Sequence, residues 1–290
     1  MKRHVVASFY TLSGAAFGEP PRTSFAERCA AAAAAGFSGI GLRIDDLDRT
    51  VASGMTVEEM RATLSDAGLE LTEIEFLSGW ALPSDTSTLR RLEDKLYAVT
   101  DLLGGRHVTA GEFAADKDFD IERAADRLRT VCQRVADHGL LVALEPFPWS
   151  AIRDVRTALR LLDLAGAPNA GLLVDAWHFF NCGTTLDDLD SIPGRQVSAV
   201  QLNDGPRVER DFLWHARNRR RLPGDGELDV VGLVRRLQQI GYSGPYCVEV
   251  NFPGFRDLPV TDAAEQAYRK AVAVLERADA GETSDVRRHP

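Results

Sequence analysis

Cysteine is scarce in this chain. Cys29, Cys132, Cys182 and Cys247 are spread over 290 residues and no two form a CxxC pair, which excludes a thiolate zinc knuckle or a redox dithiol. They suit small buried side chains in a reducing compartment. Positive charge is also in deficit: 34 Lys and Arg face 43 Asp and Glu, a formal net charge of -9. Proteins that bind phosphate backbones concentrate cations, so a nucleic-acid partner is not expected. The basic run ARNRRRL is short, lies between acidic stretches, and reads as a substrate-facing or solvated loop. Long apolar runs are missing as well. None approaches the roughly 18 residues that span a bilayer, and Ser8, Tyr10, Thr11, Ser13 and Gly14 break the first apolar stretch too often for a signal sequence. A soluble cytoplasmic protein without a membrane partner is expected. Low-complexity tracts and linkers are absent too.

What remains is a regular alternation. With 44% hydrophobic residues, the chain can bury one large core and has the length of an eight-unit α/β barrel. Strand-like runs occur at His4 to Tyr10, Gly39 to Arg43, Leu69 to Phe76, Arg106 to Ala110, Leu140 to Leu144, Gly171 to Val174, Val197 to Leu202 and Tyr246 to Val250. Helical stretches separate them. Ser24 is the expected cap of an alanine-rich helix that Gly36 ends, and Thr56 sits three residues before Glu59, the spacing of a capping box. Further helices are expected from Ser87 to Leu103, Ile121 to His138, Val155 to Leu164, Leu228 to Ile240 and Asp262 to Arg277, with a weak segment at Leu186 to Leu189. The expected fold is α/β, a single (β/α)8 TIM barrel over residues 1–280, with a polar flexible tail at 281–290.

Four of these runs end on a side chain able to bind a metal: Glu145 in VALEPFPW, Asp175 in LLVDAWHFF, Gln201 in VSAVQLNDG and Glu249 in YCVEVNF. Buried parallel strands closed into a barrel would aim all four into one mouth. Three carboxylates held together repel unless a cation sits among them. Oxygen donors with one neutral amide suit Mg²⁺ or Mn²⁺ rather than a thiolate-rich zinc site. Such a metal would polarise a ketone, so that a nearby carboxylate could take the adjacent proton. His178, three residues after Asp175, could hydrogen-bond a substrate oxygen and carry a proton near neutral pH. The long connection from Asn203 to Glu227 holds Trp214 and His215 and offers Arg219 and Arg221, the latter beside the PGDG turn, to anchor a carboxylate or phosphate. Phe9, Trp80, Trp149 and Trp177 are candidate apolar walls, and Glu73, Glu75 and Glu112 end or flank earlier strands. Each feature alone also admits a structural reading: Glu145 or Glu249 as a buried acid paired with an arginine, the arginines as solvated loop charges, the tryptophans as packing.

The Glu closing strand five, the DAWH segment, the QLND segment and the Glu closing strand eight together resemble the xylose isomerase-like barrels, the sugar phosphate isomerase/epimerase superfamily, over nearly the whole chain. The resemblance implies one divalent metal, commonly Mn²⁺, Mg²⁺ or Co²⁺, on Glu145, Asp175, Gln201 and Glu249. It also implies acid and base roles for Glu145 and Glu249. Sugar epimerases of the superfamily usually carry His where Gln201 stands, whereas branches resembling dehydroshikimate and inosose dehydratases carry Gln. The stretch QLNDGP with WHARNRRRLPGDGELDV is similar to the dehydratase loop, while NFPGFRDLP is less so. The leading expectation is a metal-dependent isomerase or epimerase of a small polyhydroxylated ketone. The alternatives are a dehydratase of a dehydroshikimate-like or inosose-like substrate and a non-catalytic sugar-binding barrel. A lyase acting on oxidised glycosides would share the ligand set. A three-metal endonuclease, which also occurs on related barrels, needs more histidines than His107, His178 and His215 could bring to the mouth. Relatives are often dimers or tetramers, so a homo-oligomer is open.

Overall fold

Runs such as GIGLR and VSAVQL are apolar on both faces, so neither face can meet water. Strands of this kind are stable only where helices cover one face and a filled interior the other. The computed structural model describes residues 4–81, 86–113 and 119–281. Its eight strands are β1 (Val5–Ala7), β2 (Gly39–Arg43), β3 (Glu70–Leu77), β4 (His107–Ala110), β5 (Leu141–Leu144), β6 (Ala170–Asp175), β7 (Val197–Leu202) and β8 (Tyr246–Val248). They pair in parallel in sequence order and close into one barrel. Closure joins β1 to β8 with Val6 opposite Cys247. This is the (β/α)8 TIM barrel, and β2 and β7 have the expected limits. Of the expected tail, residues 282–290 lie outside the described residues.

Local signals account for the outer ring. Ser24 and Thr56 each form a full capping box, with Glu27 and Glu59 reaching back to the cap. Gly36 ends the Phe25–Ala35 helix at φ 106, a left-handed conformation that glycine adopts without strain. The helix Ile121–Ala136 buries Ala124, Leu128, Val131, Cys132 and Val135 along one stripe. β1 stops three residues short of its expected end because Ser8 Oγ accepts the Thr11 N–H at 3.4 Å and starts a one-turn helix, Phe9–Leu12. Short helices at Asp46–Ala52, Ala176–Asn181, Phe212–Asn218 and Pro253–Arg256 were not expected. Each is only one or two turns long, too short for periodicity to reveal. Among the described residues, no helix is long and apolar enough to cross a membrane.

Inside the barrel, Ala143, Leu173 and Ala199 form a small apolar cluster of their own. Side chains alternate along a strand, so two residues further on each of β5, β6 and β7 points the same way. Those positions are Glu145, Asp175 and Gln201. Cys247 and Glu249 repeat the relation on β8. The apolar cluster is therefore a floor, and the polar residues are the layer above it.

Candidate active site

The barrel ladder extends past the ends of its strands. The Glu145 N–H donates to Ala110 O at 2.8 Å and the Glu249 N–H to Leu202 O at 3.1 Å, so both carboxylates are carried by rigid backbone. Asp175 closes β6 and caps the Ala176–Asn181 helix, its Oδ1 accepting the His178 N–H at 2.8 Å. Its Oδ2 accepts from Asn203 Nδ2 at 2.6 Å. The cap turns His178 back over the mouth. Ligand atoms of Glu145, Asp175 and His178 lie within 4.8 Å of one another, and all three residues are buried.

A fifth residue enters this cluster from the long connection. Arg220 is 2% exposed. Its Nη1 pairs with Glu249 Oε2 and lies 3.1 Å from Asp175 Oδ2, while its Nη2 is 2.8 Å from His178 Nε2. Sequence reasoning weighed Arg219 and Arg221 on either side of it. Arg219 is exposed and lies over the Trp214 ring at 5.8 Å, and Arg221 lies over Phe252 at 5.0 Å. The loop that delivers Arg220 is tied down by Asp204, whose buried carboxylate accepts the N–H groups of Gly205, Leu228 and Gly224 at 2.8, 3.0 and 3.1 Å. Gly226 is required there, since a Cβ would lie 2.3 Å from Asp204 Oδ1.

Burial shapes the protonation states. Desolvation, with the charges of Glu249 and Asp175, raises the Glu145 carboxyl well above its ordinary range. Desolvation also pushes Glu249 to about 7, against the opposing pull of Arg220. Arg220 stays protonated, because the three acids outweigh the cost of its burial. His178 is driven to about 3 by burial, with Arg220 adding to the effect. Burial thus favours the neutral ring. A guanidinium can only donate, so His178 Nε2 accepts and Nδ1 bears the hydrogen. That Nδ1 is buried without a partner.

The cavity above these groups has one aromatic wall. Phe76, Phe113, Phe147 and Trp149 line it, and the last three are stacked, with Phe113–Phe147 centroids at 5.2 Å and Phe147–Trp149 at 5.1 Å. Tyr10 and Phe17 line the other side with centroids 4.1 Å apart. Glu75, Glu145, His178, Gln201, Arg217, Arg220 and Glu249 supply the polar surface. Trp177 and Trp80 are core residues at 0% and 1% exposure, and Phe9 is buried beside Arg28. Trp177, His215, Arg219 and Arg221 are not among the lining residues. Glu112 accepts the Ala81 N–H at 2.8 Å and holds that loop. From β3, Glu75 reaches the cavity lining, and Glu73 lies beside it against Gln201.

The donor set fits a hard divalent cation. Glu145, Asp175 and Glu249 bring three carboxyl groups to a site with one guanidinium in contact, and a bound divalent ion would hold all three ionised and offset the two negative charges that Arg220 leaves over. The Gln201 Oε1 is buried and has no hydrogen-bond partner, a vacant acceptor of the kind such ions use.

The family profile described as Xylose isomerase-like TIM barrel matches residues 29–278. The 3-dehydroshikimate dehydratase of Pseudomonas aeruginosa is 29% identical over 257 residues, which are 87% of this chain and 40% of that protein. The chain thus spans well under half of that relative. The inosose isomerase of Bacillus subtilis is 23% identical over 60% of this chain and 64% of its own length. Among solved structures, the IOLI protein with a bound zinc atom superposes with a TM-score of 0.84 at 17% identity, covering 96% of this chain and 99% of that one.

Proposed function

We propose, for a chain that belongs to the xylose isomerase-like TIM barrel family, a divalent-metal-dependent enzyme that enolises a small polyhydroxylated cyclic ketone and then expels water. The observation that carries this reading is the convergence of Glu145, Asp175, Gln201 and Glu249 above one apolar floor, with Arg220 among them. The four would hold the cation, Mn²⁺ or Mg²⁺ by their oxygen donors. A bound cation there supplies Lewis acidity toward a substrate carbonyl. Glu249 takes the proton from the carbon beside the ketone as an enolate forms. Glu145, which lines the same cavity, relays a proton to the departing hydroxyl, so that water leaves and a double bond forms. His178 offers its free Nδ1–H to a substrate oxygen. The wall of Phe113, Phe147 and Trp149 takes the C–H face of a ring, as aromatic faces do with sugars.

Water loss is favoured by the dehydratase relative, which aligns with far more of the chain than the inosose isomerase does. Isomerisation or epimerisation is the second reading. It is supported by the isomerase relatives and by two acids that can protonate the same enolate from different strands. The test is mass spectrometry of Mn²⁺-loaded protein in D₂O with dehydroshikimate, inososes and ketoses, with an EDTA-treated control. Metal-dependent loss of one water supports the first reading, and one deuterium gained on an intact skeleton supports the second. A Glu249→Gln protein that turns over as fast as wild type would remove Glu249 as the base.

A further inference from the structure

The amide of Gln201 has two ends of nearly equal size and opposite character: oxygen accepts, nitrogen donates. Only the oxygen can serve a cation. Something must select it, because a strand end alone permits either orientation. The selecting group lies across the barrel. Glu73 Oε2, on β3, accepts from Gln201 Nε2, on β7, at 3.0 Å, and these strands stand four apart in a ring of eight. Rotating the amide would bring its oxygen against a carboxylate oxygen at that distance.

The Glu73 carboxylate is itself fixed. Its Oε1 accepts from Cys247 Sγ at 3.3 Å, and His107 Nε2 lies 3.5 Å from its Oε2. His107 Nδ1 is in turn 3.4 Å from Arg106 Nη1, which donates to Ser198 O on β7 at 2.6 Å. Glu73 is 0% exposed, so no water competes for it. On β2, Gly41 stands opposite Glu73, and a Cβ there would press to 3.3 Å from Glu73 Oε1 and 3.0 Å from Phe9 N. The absent side chain leaves room for the carboxylate to reach the lumen.

We propose that Glu73 is the positioning residue of the cation cage: by accepting the Nε2–H of Gln201 across the lumen, it commits the amide oxygen to the metal. The role rests on the cation site proposed above. It accounts for why Gln201 Oε1 is left buried without a partner while Nε2 is satisfied. Groups that orient a metal ligand typically contribute about 10- to 100-fold to affinity.

The test is calorimetric titration of Mn²⁺ into chelator-treated full-length wild type, Glu73→Gln, Glu73→Asp, Gln201→Ala and the Glu73→Gln/Gln201→Ala double variant, with thermal melts alongside. Glu73→Gln is expected to weaken Mn²⁺ binding by ~10- to 100-fold. Glu73→Asp, which keeps the charge but withdraws it by one methylene, is expected to weaken binding as well. In the Gln201→Ala background, Glu73→Gln should cost under about 2-fold, since its target is gone. A loss equally large with and without Gln201 would overturn the proposal, because charge alone would then explain it, and so would a Glu73→Asp protein that binds as wild type. If Glu73→Gln does not fold, Glu73→Asp is compared with a Glu73→Asp/Gln201→Ala double variant, and a loss equally large in both backgrounds overturns the proposal. Wild type that binds no Mn²⁺ overturns the cation site and this role together. Wild-type binding that is unchanged in Glu73→Gln overturns only the role of Glu73.

Discussion

Replacing Arg220 with Met tests whether its guanidinium is the internal counterion of the cage. Arg220 pairs with Asp175 and Glu249, and all three are nearly inaccessible to water. Breaking a buried pair by removing one partner leaves an uncompensated charge and costs ~3–5 kcal/mol. A chain of this size shifts by about 2 °C in Tm per kcal/mol, so the metal-free variant should melt ~6–10 °C below wild type at about pH 8. The loss should shrink at about pH 6, because Glu249, already raised to about 7, can discard its charge by taking a proton. Adding Mn²⁺ should then stabilise Arg220→Met more than wild type, since a divalent ion compensates the same acids. Scanning calorimetry of chelator-treated protein at both pH values, with and without Mn²⁺, reads all three effects. A metal-free variant that melts within about 1 °C of wild type at about pH 8 would refute the reasoning.

Three further outcomes follow from the same groups. Glu249 and Glu145 bind protons more tightly in the folded protein than in the unfolded chain. The native state therefore holds the extra protons between the ordinary carboxylate range and about 7, and metal-free stability should fall as pH rises through that window. Urea titrations stepped across it would show the slope, and a rise instead would contradict the assignment. Asp204→Ala should free the loop that carries Arg220, so trypsin should cut at Arg210 or Arg217 sooner than in wild type, and equal cleavage rates would show that the three N–H bonds do not hold the loop. Burial pushes the thiols of Cys29 and Cys132 up to about 12 and that of Cys247 well above its ordinary value, so these three should resist a thiol reagent at neutral pH until denaturant is added.

The barrel was legible because each unit carries its own signal: an apolar run for the strand, a capping residue before the helix, a glycine after it. The quartet Glu145, Asp175, Gln201 and Glu249 was legible for a related reason, since strand ends in a parallel barrel share one mouth. Arg220 was not. In the run Arg219–Arg220–Arg221 all three residues are chemically equal, and only the path of the loop pinned by Asp204 decides which one turns inward. The bridge from Glu73 to Gln201 was hidden by distance, as 128 residues separate partners that meet only when the barrel closes. Trp177 shows the converse. Its place in DAWH suggested a pocket wall, but the cap formed by Asp175 turns His178 to the mouth and leaves Trp177 in the core.

The barrel divides its labour between halves. Every side chain proposed to hold the cation or move a proton comes from β5 through β8 and their loops, while Tyr10, Phe17, Phe76 and Phe113, which line much of the cavity, come from the loops and strands of the first half. Substitutions in that half can reshape what the cavity admits without touching the reactive groups, provided Glu73 is kept. Changes at Tyr10, Phe17, Phe76 and Phe113 would thus alter one side of the cavity, while Phe147 and Trp149 and the proposed reactive groups of the second half stay in place.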